Sequence, residues 1–130
     1  MIQRIIPQEA PRPRGPYSPA VRAGDFIFVS GQGPIDPATD QMVTADIRTQ
    51  TRLVLENIRR ILAACGATPA DVVQCSVFLG DAADFPAMNE VYAEFFGEHR
   101  PARTTVEARF VAPGMKVEID CIAYKPAGAS

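Results

Sequence analysis

A chain of 130 residues with 13 Lys+Arg against 15 Asp+Glu carries a net charge of −2. It therefore lacks the positive field that holds a protein on nucleic-acid phosphates. The length suits one domain with its own core, and 47% apolar with 22% charged residues exclude a disordered chain. No apolar run reaches the roughly 20 residues of a membrane span, and Met1–Pro7 lacks the apolar region of a secretory signal, so the cytoplasm is the expected location. Cys65, Cys75 and Cys121 are odd in number, show no CxxC spacing and fall at apolar positions, which reads as reduced core thiols.

In chain order, residues 2–6 suit a short strand, whereas prolines at 7, 11, 13 and 16 make the next segment an extended arm. Tyr17–Ala23 and Phe26–Gln32 read as two strands around a Gly24-Asp25 turn, followed by a turn at Pro37–Asp40. A helix capped by Thr44 or Asp46 follows, with apolar positions at 47, 54, 58, 61, 62 and 65 and Gly66 just beyond its end. Asp71–Leu79 is the next strand, with Val73, Cys75, Val77 and Leu79 on one face. Asp81 caps a second helix through Phe96, whose apolar stripe is Phe85, Met88, Val91, Tyr92, Phe95 and Phe96, and Gly97 ends it.

The last stretch, Arg100 to Tyr124, reads as a β-hairpin around the Val111–Gly114 loop. Alternation assigns Thr104, Val106, Ala108 and Phe110 to the core, with Val117, Ile119, Cys121 and Ala123 of the second strand. The opposite face then carries Arg103, Thr105, Glu107 and Arg109, with Lys116, Glu118, Asp120, Ile122 and Tyr124. Hairpin pairing would place Arg103 roughly 13 Å along the strand from the residue facing Glu118, too far for a simple ion pair. The pattern is an α+β fold in which two helices cover one face of a mixed sheet, and the uncovered face predicts a symmetric homo-oligomer.

One histidine, His99, with no second ligand near it, gives no metal site and no Ser-His-Asp arrangement. No GxGxxG or Walker pattern supports a nucleotide cofactor. What remains is charge on strands. Arg103 is either an ordinary surface arginine or a two-pronged carboxylate anchor, and Glu118 either belongs to a solvated face or positions water.

Gly15-Pro16-Tyr17-Ser18, Val29-Ser30-Gly31-Gln32, Asn57, Val77-Phe78-Leu79, Asn89 through Phe96, Pro101-Ala-Arg103-Thr-Thr and Val117 through Ala123 together resemble the Rid (YjgF-like) family of imine and enamine deaminases. The resemblance covers residues 4 to 125 and implies a single Rid-like domain over 1–130 with a chorismate-mutase-like fold. It also implies a homotrimer with sites between subunits and no cofactor. Arg103 would bind the substrate carboxylate and Glu118 would activate water. Tyr17, Ser30 and the Gly31 carbonyl would come from the neighbouring subunit, and Asn89 would support the site. The implied reaction converts 2-imino or 2-enamino acids of the 2-aminoacrylate type to 2-oxoacids and ammonia. Thr105 departs from the Cys common among close relatives of the founding deaminases. Alternatives are a deaminase of larger enamines, such as 2-aminomuconate or the aminoacrylate of pyrimidine breakdown, and a non-catalytic trimer that binds 2-oxoacids or acts as a chaperone.

Overall fold

The computed structural model describes residues 1–126. The elements run β1 (Ile2–Ile5), β2 (Ala20–Ala23), β3 (Phe26–Gln32), β4 (Ile35–Asp36), β5 (Gln41–Met42), α1 (Ile47–Ala64), β6 (Val72–Leu79), α2 (Phe85–Phe96), β7 (Ala102–Glu107) and β8 (Val117–Tyr124). Six strands form one sheet in the order β1-β2-β3-β8-β6-β7, and β4 and β5 form a separate ribbon flanking the expected Pro37–Asp40 turn. The sheet is mixed because β7 runs parallel to β6 while the other pairs are antiparallel. Both helices pack on one face, as the α+β pattern requires.

Helix α1 starts at Asp46, whose carboxylate accepts from the Thr49 amide at 2.9 Å and is held below its usual acidity range by that bond. Its buried face carries Val54, Leu55, Ile58, Ile61 and Leu62, together with Gln50, Thr51 and Asn57. The two buried amides clamp loops rather than fill space. Gln50 accepts from the Lys116 amide at 2.7 Å and donates to the Gly114 and Val43 carbonyls, which fixes the entry to β8. Asn57 donates to the Ile35 carbonyl at 2.8 Å and reaches that of Gly33, which fixes the exit from β3. A buried amide left unmet costs about 1–3 kcal/mol, so these bonds specify both loops.

The expected terminal hairpin is not formed. Strand β7 pairs with β6, Arg103 lying beside Cys75 and Thr105 beside Val77, whereas β8 pairs with the other edge of β6, Cys121 opposite Cys75 and Glu118 opposite Phe78. A strand–helix–strand crossover places its second strand parallel to the first, so β6-α2-β7 takes one edge of β6 and leaves β8 the other. Residues 108–116 carry the chain across the end of β6. There the Ala108 amide bonds the Leu79 carbonyl at 2.8 Å and the Gly80 amide bonds the Lys116 carbonyl at 2.9 Å.

The face assigned to β7 is also reversed. Thr104 and Val106 are exposed, and Arg103 and Thr105 turn toward α2. The reason is the register, because Cys75 and Val77 are core residues of β6 and their partners share that face. Three smaller differences follow from local backbone. Val73 is exposed because a bulge interrupts β6 between Val72 and Gln74, Tyr17 precedes β2 in a turn closed by the Gly15 carbonyl, and Asp81 caps a 3₁₀ turn, Ala82–Asp84, that leads into α2. Ala108 and Phe110 lie beyond the end of β7, where the Phe110 ring covers Gly80.

Candidate active site

Two clusters emerge from this topology. The first surrounds Arg103. Its guanidinium lies over the Tyr92 ring, 4.7 Å from the centroid, and beside Phe85 at 5.6 Å. Aromatic faces hold a cation without consuming its N–H donors, and among the described residues no carboxylate pairs with Arg103. A cavity of about 400 Å³ opens there, lined by Asn89, Tyr92, Phe96, Arg100 and Arg103 among others. Asn89 Oδ1 and Thr105 Oγ1 are buried with no hydrogen-bond partner. Tyr92 Oη faces the Cys75 thiol without reaching hydrogen-bond geometry, and burial pushes that thiol up to about 11. An uncommitted arginine beside a cavity lined by aromatic and polar side chains is a place for a ligand.

The second cluster surrounds Glu118 on the opposite, helix-free face, which it shares with Phe78 and Val106 by register. A bulge in β3 between Val29 and Gln32 brings Gly31 against it. A Cβ at Gly31 would sit 2.6 Å from Glu118 Oε2 and 2.9 Å from its carboxyl carbon, so only glycine admits the carboxylate here. The bulge is tied down. Ser30 Oγ donates to the Ser18 carbonyl at 2.6 Å, the Ser30 amide donates to the Pro19 carbonyl, and Gln32 Nε2 donates to the Ser30 carbonyl at 3.1 Å. Tyr17 and Gly31 line one small recess. Glu118 titrates above the usual carboxylate range, first because burial penalises its charge and second because Asp120 adds like charge.

The structure thus brings Tyr17, Ser30, Gly31 and Glu118 together, and separately Asn89, Arg103 and Thr105. It does not bring the two groups together in one protomer, because Cys75 and Phe78, which share the faces of Arg103 and Glu118, lie on opposite sides of β6. His99 belongs to neither cluster, its Nε2 lying 2.6 Å from the Val72 carbonyl. Among the described residues no group of His, Cys, Asp and Glu could hold a metal, and no helix is long and apolar enough to cross a membrane.

The family model described as Endoribonuclease L-PSP matches residues 7–125. The chain belongs to that family. It is the family of the Rid-like resemblance, and the Endoribonuclease L-PSP members similar to this chain include enzymes named for deamination. A RutC family protein of Pyrococcus horikoshii is 51% identical over 96% of this chain and 99% of its own. The 3-aminoacrylate deaminase RutC of Acinetobacter baylyi is 43% identical over 92% and 95% of the two chains. Among solved structures, Escherichia coli TdcF with bound serine superposes with a TM-score of 0.89 at 39% identity, covering 95% of this chain and 98% of TdcF.

Within this Endoribonuclease L-PSP fold, three contributors escaped the sequence reading. Phe85, expected in a core stripe, is exposed and stands beside the Arg103 guanidinium, Tyr92 is in the core as expected but also faces that guanidinium, and Arg100 lines the same cavity. The available signal was the spacing Arg100-Pro-Ala-Arg103, two cations at the entry of one strand next to an aromatic helix.

Proposed function

We propose that the protein is a hydrolytic deaminase of short 2-imino and 2-enamino acids, working at sites completed between subunits of a homotrimer. The observation that carries this reading is the division of the chemistry: an uncommitted arginine and a desolvated carboxylate stand on opposite faces of one sheet. A second copy can supply Glu118, Gly31, Ser30 and Tyr17 to the Arg103 cavity of the first. The helix-free face suits such a contact, since Phe26, Phe28, Val106 and Tyr124 are each 42–45% exposed on it. The amino acid held by TdcF supports a small amino-acid-like substrate, and the name of RutC supports deamination as the reaction.

The reaction asks little of the protein. Arg103 takes the substrate carboxylate in a forked pair within the cavity that Asn89 also lines. The imine carbon, conjugated to that carboxylate, is already electrophilic. Water held by Glu118 attacks it, a new C–O bond forms, and Glu118 takes the water proton and returns it to nitrogen. Glu118 then carries the hydroxyl proton of the resulting carbinolamine to its nitrogen, and the C–N bond breaks to release ammonia and the 2-oxoacid. Positioning and one proton shuttle supply the acceleration. A raised Glu118 pKa strengthens it as a base once ionised, and activity falls as pH drops through that raised value.

The test is to generate 2-aminoacrylate with a serine dehydratase and follow decay of the imine. Acceleration by wild type and its loss in Arg103→Ala is the expected result. No acceleration, or equal acceleration by the variant, overturns the reading. The RutC relative favours a second reading, 3-aminoacrylate as the better substrate, and a direct comparison of the two compounds decides between them.

A further inference from the structure

The cavity holding Arg103 contains a second cation. Arg100 lines it from the turn between α2 and β7, and among the described residues Arg100 forms no ion pair or hydrogen bond with another side chain. No aspartate or glutamate contributes to the lining. Two unneutralised arginines on one wall repel each other unless an anion lies between them. A single carboxylate consumes one guanidinium fork and leaves the other unmatched.

From this pair we infer that the site selects 2-imino acids bearing a second carboxylate, such as 2-iminosuccinate or 2-iminoglutarate. Arg103 holds the carboxylate next to the imine and Arg100 holds the distal one. Both dimensions and chemistry fit. The residues are three apart, so their backbones are separated by at most about 10 Å, and two flexible side chains close that gap onto the ends of a short diacid. The cavity's 400 Å³ equals the volume of roughly a dozen waters, more than a three-carbon acid fills. Phe96 and Tyr92 give the methylene chain an apolar floor, and Asn89 lines the same cavity. Arg100 favours the diacid, because a distal methyl gives its guanidinium nothing to pair with.

This inference rests on the deaminase reading for its reaction but not for its binding, and the experiment separates the two. Calorimetric titration of the assembled protein with 2-oxoglutarate and 2-oxobutyrate measures the distal subsite without chemistry. Wild type is expected to bind the diacid at least tenfold more tightly, Arg100→Ala to lose that preference, and Arg100→Lys to restore part of it. In parallel, an amino-acid oxidase supplies 2-iminoglutarate or 2-iminobutanoate, and imine decay gives the ratio of kcat/KM values. That ratio should favour the diacid and fall about tenfold in Arg100→Ala. Equal binding of both acids by wild type, or a preference untouched by Arg100→Ala, overturns the distal subsite even if both imines are consumed. Preferential diacid binding with no imine consumed retains the subsite and overturns the deaminase reading instead. Because Arg100 is exposed, its replacement leaves the fold intact, which circular dichroism checks.

Discussion

Arg103 and Glu118 lie on strands that flank the same strand, β6, yet their surroundings are made in opposite ways. Around Arg103 the walls are aromatic, and among the described residues the cations lack anions and Asn89 Oδ1 and Thr105 Oγ1 go unmet. Around Glu118 the wall is backbone, and Ser30 and Gln32 spend their hydrogen bonds holding a glycine bulge in place. The first side is prepared to receive a charged ligand. The second is tied down by hydrogen bonds beside a half-buried carboxylate. On the proposed reading binding and proton transfer are separable, and variants on the two sides should differ in kind as well as in size.

The largest expected effect lies on the Glu118 side. Glu118→Gln removes the base but hardly alters shape, so kcat should fall by about 10²–10⁴ while 2-oxoacid binding is retained. Arg103→Ala should fail in the other way. Losing a hydrogen bond to a charged group, worth about 1.5–3 kcal/mol, lowers kcat/KM by roughly 10- to 150-fold and weakens calorimetric binding by a similar factor. If Glu118→Gln weakened binding as much, the two sides would not be separable. Mixing these variants after dissociation and reassembly sharpens the comparison, because the intact halves then meet between different subunits. Random assortment restores roughly a quarter of wild-type activity in a cyclic oligomer with shared sites, and none if each protomer holds a whole site.

Next in size is Gly31→Ala. A methyl 2.6 Å from Glu118 Oε2 forces the carboxylate aside, and a misplaced base of this kind costs on the order of 10-fold to 10²-fold in kcat. Binding should not change. A smaller effect comes from Phe85→Leu on the other side, where loss of a partly exposed cation–π contact of about 0.5–1 kcal/mol raises KM by roughly two- to fivefold with kcat preserved. A fall in kcat would place Phe85 in the reaction rather than in support of the arginine.

The two sides also differ in how legible they were. Val29-Ser30-Gly31-Gln32 and the alternation of Val117–Tyr124 announce their strands, and Glu118 lies where period-two patterning puts it, whereas Gly31, which alternation from Ile27 and Val29 would turn to the core, faces Glu118. The bulge that joins them depends on a backbone shift that alternation does not encode. On the Arg103 side, patterning located β7 but misassigned its face, because Thr104 and Val106 look more core-like than Arg103 and Thr105. Partner choice decides that face, and partner choice came from the β6-α2-β7 crossover, a long-range feature. Residues 108–116, with Pro113-Gly114, imitate a hairpin loop convincingly. Only the competition of two strands for the edges of β6 rules it out. Separation of the chemistry onto two faces could not be read at all until that competition was resolved, although family resemblance had already divided the roles between subunits.

The smallest effect is on stability, and its sign distinguishes an isolated half-site from a completed one. Glu118 has its pKa raised above 4.5 by burial and by Asp120, so its protonated form is favoured in the fold. The stability gained from protonation is fully present below 4.5 and is lost as pH rises through the elevated folded value. Glu118→Gln, which cannot ionise, should therefore be slightly more stable than wild type at neutral pH, with the difference disappearing as the pH approaches 4.5. Thermal unfolding across that range reads it directly. If Arg103 of another subunit lies close enough to pair with Glu118 before substrate arrives, the sign reverses: the carboxylate is then stabilised, and Glu118→Gln is less stable at neutral pH. Repeating the scan in Arg103→Ala restores the first sign in that case. The two faces would then be coupled in the resting protein as well as during turnover, and the free arginine of the isolated protomer would be half of an ion pair in the assembly.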